Sequence, residues 1–175
     1  MNFVYVAASI DGYIATPDGS VDWLEYPNPE RSDFGFADFV EGIDAIVLGR
    51  NTFEKVLSFD AWPYHKPVYV VSRTLSAVPE HLTGRVQIID GDPQSIVDLL
   101  AECGHVDLYI DGGRLIQSFL EDDLIDRMII TRIPIVLGQG IPLFGSQGST
   151  LRFTLESSEV LIGQLVMSRY VRDRT

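Results

Sequence analysis

Apolar residues fall in short, nearly uninterrupted runs along most of the chain: residues 3–8, 45–48, 68–71, 86–89, 106–110 and 127–133. Runs of this length without alternation predict strands covered on both faces, as in a parallel sheet packed between helices. Between them the period changes. Phe36, Phe39, Val40 and Ile43 stand at i, i+3, i+4 and i+7, one face of a helix that starts near Ser32 and carries Asp33 in its first turn. Residues 52–57 predict a short helix capped by Asn51 or Thr52. Asp92-Pro93 opens a helix through Ile96, Leu99, Leu100 and Cys103, closed by Gly104. Leu115, Ile116, Phe119 and Leu120 form the buried side of another. Residues 151–155 and 163–171 alternate more regularly and have no helix between them, which predicts an antiparallel hairpin at one edge. The expectation is a single α/β domain over residues 1–175, with a mostly parallel sheet of about eight strands and about four flanking helices.

Composition narrows the partners. With 46% hydrophobic residues in 175, the chain can bury one sizeable core. A net charge of −12 argues against nucleic acid, whose affinity comes from Lys and Arg meeting phosphates, and against anionic membranes. Cys103 is the one cysteine, which excludes an internal disulfide and fits a reducing compartment. The first residues lack a basic leader and no apolar run approaches the ~20 residues of a membrane helix, so a soluble cytoplasmic protein is expected. His65, His81 and His105 are dispersed and suggest no metal site.

Candidate chemistry gathers where strands end. Residues 45–48 run into Gly49, Arg50, Asn51 and Thr52 at a helix start, a setting for an anion on free backbone N–H groups. Ser72-Arg73-Thr74 follows another strand with two hydroxyls and a guanidinium, and Gly112-Gly113-Arg114 opens a helix with two glycines that admit a close ligand. Three such ends suit a pyrophosphate with a separate phosphate, and NADPH is the economical candidate. Neither the G-x-G-x-x-G fingerprint nor a Walker A loop is present.

The ordered segments A-A-S-I-D-G-Y-I-A (residues 7–15), I-V-L-G-R-N-T-F (46–53) and I-D-G-G-R-L-I-Q-S-F-L (110–120) resemble the dihydrofolate reductase superfamily. P-I-V-L-G-Q-G-I-P-L-F (134–144) is similar to the reductase domain of the bifunctional riboflavin-biosynthesis enzyme and its stand-alone relatives. The resemblance implies an NADPH-dependent reductase that transfers hydride to a pteridine- or pyrimidine-type heterocycle or its ribosylamino derivative, similar to 5-amino-6-(5-phosphoribosylamino)uracil reductase. Carried over position by position, Ala7 and Ile14 line the nicotinamide site, while Gly49, Arg50 and Thr52 hold the pyrophosphate. Ser72 and Arg73 meet the 2′-phosphate side, and Gly112, Gly113, Arg114 and Leu115 complete the cradle.

On the substrate side the resemblance implies an acidic residue on the first helix, and an ungapped count back from Gly49 places Asp33 there, with Phe36 beside it. Asp33 placed to favour the helix dipole is the competing reading. Asp60, in an aromatic loop, is a further acid; Trp23 is a candidate to close over a flat ring, and Thr131 to bond substrate or water. Dihydrofolate reduction proper and a non-catalytic NADPH-binding module are the competing functions, and a homodimer is expected by family analogy.

Overall fold

A computed structural model describes residues 1–25, 33–146 and 148–174. In chain order the elements are β1 (Asn2–Ser9), β2 (Tyr13–Ala15), α1 (Phe36–Glu41), β3 (Ala45–Gly49), α2 (Arg50–Leu57), β4 (Val68–Val71), β5 (Val86–Ile89), α3 (Pro93–Glu102), β6 (Leu108–Asp111), α4 (Gly113–Glu121), β7 (Arg127–Ile133), β8 (Ile141–Pro142), β9 (Arg152–Leu161) and β10 (Leu165–Asp173). Eight strands form one sheet in the order β5-β4-β3-β6-β1-β7-β10-β9. The six from β5 to β7 run parallel, and β10 and β9 close the edge as an antiparallel hairpin.

The uninterrupted apolar runs have a direct cause. Successive residues of a strand point to opposite faces, and here both faces are covered. Ala45 and Val47 join a core built on Ile96 and Leu100 of α3 and Leu115, Ile116, Phe119 and Leu120 of α4. Ile46 and Leu48 join a second core on the other face, with Val40, Ile43, Phe53 and Val56 from the segment of α1 and α2. Tyr109 belongs to this second core, and Phe3 and Tyr5 of β1 pack against it.

The structure corrects several local expectations. Gly49, extended at φ −69° and ψ 154°, is the N-cap of α2, so Asn51 and Thr52 lie inside the helix and do not cap it. The predicted helix start at Ser32 lies outside the described residues, and α1 is seen from Phe36 onward. Phe34 and Gly35 take positive φ values of 57° and 84°, which excludes them from the helix. The final hairpin is longer than the alternating stretches predict. A second, two-stranded sheet of β2 and β8 was not expected; it sets Ala15 opposite Ile141 and forms a flap beside the main sheet.

Candidate functional site

The parallel register aligns strand ends. Gly49 pairs with Val71 and Leu48 with Asp111, so the turns after β3, β4 and β6 share one edge of the sheet. The chain leaves β3 toward β4 and β5, then returns to place β6 on the other side of β3. Such a switch point opens a crevice beyond the carboxyl ends of the strands.

Two helices begin in that crevice. A Cβ on Gly112 would lie 2.6 Å from Thr52 Oγ1 and 3.5 Å from Gly49 N, so the first turns of α2 and α4 abut there. Gly112, at φ +112°, takes a conformation that side chains disfavour. No side chain caps either helix. By contrast, Asp92 caps α3 by accepting from Ser95 N at 2.9 Å. First-turn N–H groups need partners from outside the helix, and here they sit at the positive ends of two dipoles.

The arginines divide by partner. Arg50 donates from Nε to Glu54 Oε1 at 2.7 Å and from Nη1 to Thr74 Oγ1 at 2.7 Å, tying α2 to the turn after β4. Ser72 Oγ fixes that turn by accepting from Thr74 N and Leu75 N. Arg73 and Arg114 are exposed, and among the described residues neither has a side-chain hydrogen bond or ion pair. In a chain of net charge −12 they are cations without a partner among the described residues, Arg114 in the first turn of α4 and Arg73 in the turn after β4. The donor set fits a dinucleotide phosphate group.

The flap covers the start of α4. A Cβ on Gly113 would meet Ile141 Cγ2 at 2.9 Å and Ile14 Cδ1 at 3.1 Å. Asp11 anchors the flap's base by accepting from Leu137 N at 3.1 Å and Gly138 N at 2.7 Å. The Ser9 hydroxyl, with those two N–H groups, holds the Asp11 carboxyl below its usual range. Ala7 pairs with Thr131 across β1 and β7, and Thr131 is buried.

The substrate-side residues are more scattered. Asp33 accepts from Gly35 N at 3.0 Å and Ala37 N at 2.9 Å, and these donors keep its exposed carboxyl below the usual range. It therefore serves α1 as a cap and is a poor proton donor. Phe36 packs on Tyr5, with ring centroids 5.3 Å apart. Trp23 sits partly buried in the 3-10 turn Asp22–Leu24, its indole Nε1 without a partner among the described residues. Asp60 is exposed beyond the carboxyl end of α2, away from the crevice at that helix's start.

Asp111 is the acid that sequence reading passed over. It ends β6 beside Leu48, and loss of hydration raises its carboxyl to about 6 against the opposing pull of Gly112 N–H and the Tyr109 hydroxyl. Its place in an Asp-Gly-Gly sequence reads as turn chemistry. The available signal was an acid ending an apolar strand immediately before glycines that admit a ligand.

The sheet order, the crevice and the flap define a dihydrofolate reductase-like fold. Dihydrofolate reductase from Enterococcus faecalis superposes with a TM-score of 0.67 at 16% identity, covering 99% of this chain and 96% of that one. The family is narrower: the model of the RibD C-terminal domain matches residues 3–167, and the chain belongs to that family. A Shewanella sp. PV-4 protein ascribed to riboflavin biosynthesis has 48% identity and a TM-score of 0.95, with 99% of both chains covered. The uncharacterized Bacillus subtilis protein YwjB is 37% identical over 174 residues, covering 97% of this chain and 96% of its own.

Proposed function

We propose that this member of the RibD C-terminal domain family is an NADPH-dependent reductase acting on a flat pyrimidine- or pteridine-type heterocycle or its ribosylamino derivative. The observation that carries the reading is the meeting of two uncapped helix starts at Gly112, with Arg114 in the first turn of α4 and Arg73 in the turn after β4, neither of them ion-paired among the described residues. When bound, NADPH supplies the hydride. Backbone N–H groups at 50–52 and 113–115 hold its phosphates, and Arg73 with Ser72 selects the 2′-phosphate. Arg50 positions the turn that carries them, through Thr74. Ala7 and Thr131 line the nicotinamide end of the crevice, and Ile14 of the flap excludes water there.

Reduction of a C=N or C=O group also takes up a proton. In this reading Asp111 delivers it, because burial keeps its carboxyl protonated to a higher pH than an ordinary aspartate. Tyr5 and Phe36, rings in contact on the same face, receive the flat ring, while Asp33 fixes α1 behind them. A cytoplasmic homodimer completes the proposal: β9 is an edge strand with Leu155 and Val160 exposed. The test is loss of NADPH absorbance on mixing with a panel of oxidised pyrimidines and pteridines. Consumption with one of them supports the reductase. Tight NADPH binding without consumption by any favours a binding module.

A further inference from the structure

We propose that Tyr109 is a positioning residue whose hydroxyl, anchored on the Tyr5 backbone, orients the Asp111 carboxyl and governs its proton. Tyr109 and Asp111 are two apart on β6 and so face the same side of the sheet. Tyr109 is 4% exposed, and its hydroxyl donates to Tyr5 O at 3.0 Å. The Tyr5 hydroxyl in turn donates to Phe34 O at 2.9 Å. Phe39 grips both rings, with centroids 4.9 Å from Tyr5 and 5.2 Å from Tyr109. Neither phenol is free to swing away from the site.

A phenol has one proton to donate. The Tyr5 carbonyl and an ionised Asp111 are competing acceptors for it, and a carboxylate is the stronger. The bond to Tyr5 O is the arrangement expected while Asp111 keeps its own proton. When Asp111 gives that proton up, the Tyr109 hydroxyl turns to the carboxylate and stabilises it. Among the described residues, the titratable groups that face Asp111 are Tyr109 on its own strand and Tyr64 from the segment after α2. Tyr5, on β1, reaches it through Tyr109, and feels Arg169, Asp33 and Glu159 from its other side. Burial and the Asp111 charge hold both Tyr64 and Tyr109 neutral, so each acts as a dipole and not as an ion.

The importance of Tyr109 for turnover rests on the reductase reading; its coupling to Asp111 does not. Tyr109→Phe retains the ring and removes the hydroxyl. Carboxyl carbon NMR, assigned through Asp111→Asn, is expected to show the Asp111 midpoint rising by about one unit in Tyr109→Phe. The alkaline limb of kcat should move with it, while the KM for NADPH stays unchanged. An unchanged or lower carboxyl midpoint overturns the proposal, whether or not any heterocycle is reduced. A measurement on the unaltered protein guards against a variant that does not fold. The Tyr109 Cζ resonance should titrate with the Asp111 midpoint, and independent titration overturns the coupling.

Discussion

Thr52 and Gly112 compete for one small space: the Thr52 hydroxyl oxygen lies 2.6 Å from where a Cβ on Gly112 would stand. Because these residues sit in the opening turns of α2 and α4, their contact fixes how closely the two helix starts approach.

Gly112→Ala should therefore lose both stability and cofactor binding. The φ of +112° disfavours any side chain, and the new methyl group would push α2 aside. About 1–3 kcal/mol of destabilisation is expected from the backbone conformation. Thr52→Ala in the same chain should recover part of the binding by removing the clash, but not the backbone cost. Thermal unfolding and calorimetric titration with NADPH check both statements.

Arg73→Ala should weaken NADPH roughly 10- to 100-fold and NADH little, since a charge-assisted bond to the extra phosphate is what is removed. Equal losses for the two cofactors would move the 2′-phosphate away from Arg73. Arg114→Ala, beside the shared pyrophosphate, should weaken both alike.

Asp111→Asn should abolish turnover and yet stabilise the protein in alkaline buffer. Below the ordinary carboxylate range the folded and unfolded chains are both protonated at this residue, so its folded stability is fully present. Between that range and about pH 6 the unfolded chain releases its proton first, and stability falls as pH rises. At pH ~8 the uncompensated ionisation costs on the order of 2 kcal/mol, which the amide avoids. Melting temperatures across pH should converge toward acid and separate toward alkali; parallel curves would sink the assignment.

Asp33→Asn should retain most turnover, because an amide oxygen still accepts from the start of α1. Asp33→Ala should lower the melting temperature and loosen Phe36 over Tyr5. If Asp33→Asn folds normally and reduces nothing, proton delivery returns to Asp33.

The legible parts of this protein were those whose chemistry repeats along the chain. Strands buried on both faces announce themselves as apolar runs, and β3, β4 and β6 end at or within one residue of those runs, although β6 begins at Leu108 and not at Val106. The hairpin was harder. β9 continues through Glu156, Ser157, Ser158 and Glu159, which are all exposed, and a strand without a buried face has no alternation to read. β2 and β8 span three and two residues, and only their mutual pairing makes them strands. At the site, Arg50 reads in the sequence as a holder of the pyrophosphate, and its bond to Thr74 is hidden there because it requires the register of β3 with β4 to be known. Asp111 was obscured for the opposite reason: its neighbours supply a sufficient local explanation, and desolvation is a property of the packed sheet alone.

α1 and α3 complete their own first turns through Asp33 and Asp92, whereas α2 and α4 do not. A bound anion would be the missing piece of both helices at once. Ligand capture and the last increment of folding then become one event, worth about 2.7 kcal/mol at a hundredfold excess over Kd. The empty protein should exchange its amides fastest at residues 50–52 and 113–115, ahead of Ile116, whose N–H is already bonded to Gly112 O. Its heat resistance in a cell would thus follow the supply of that anion.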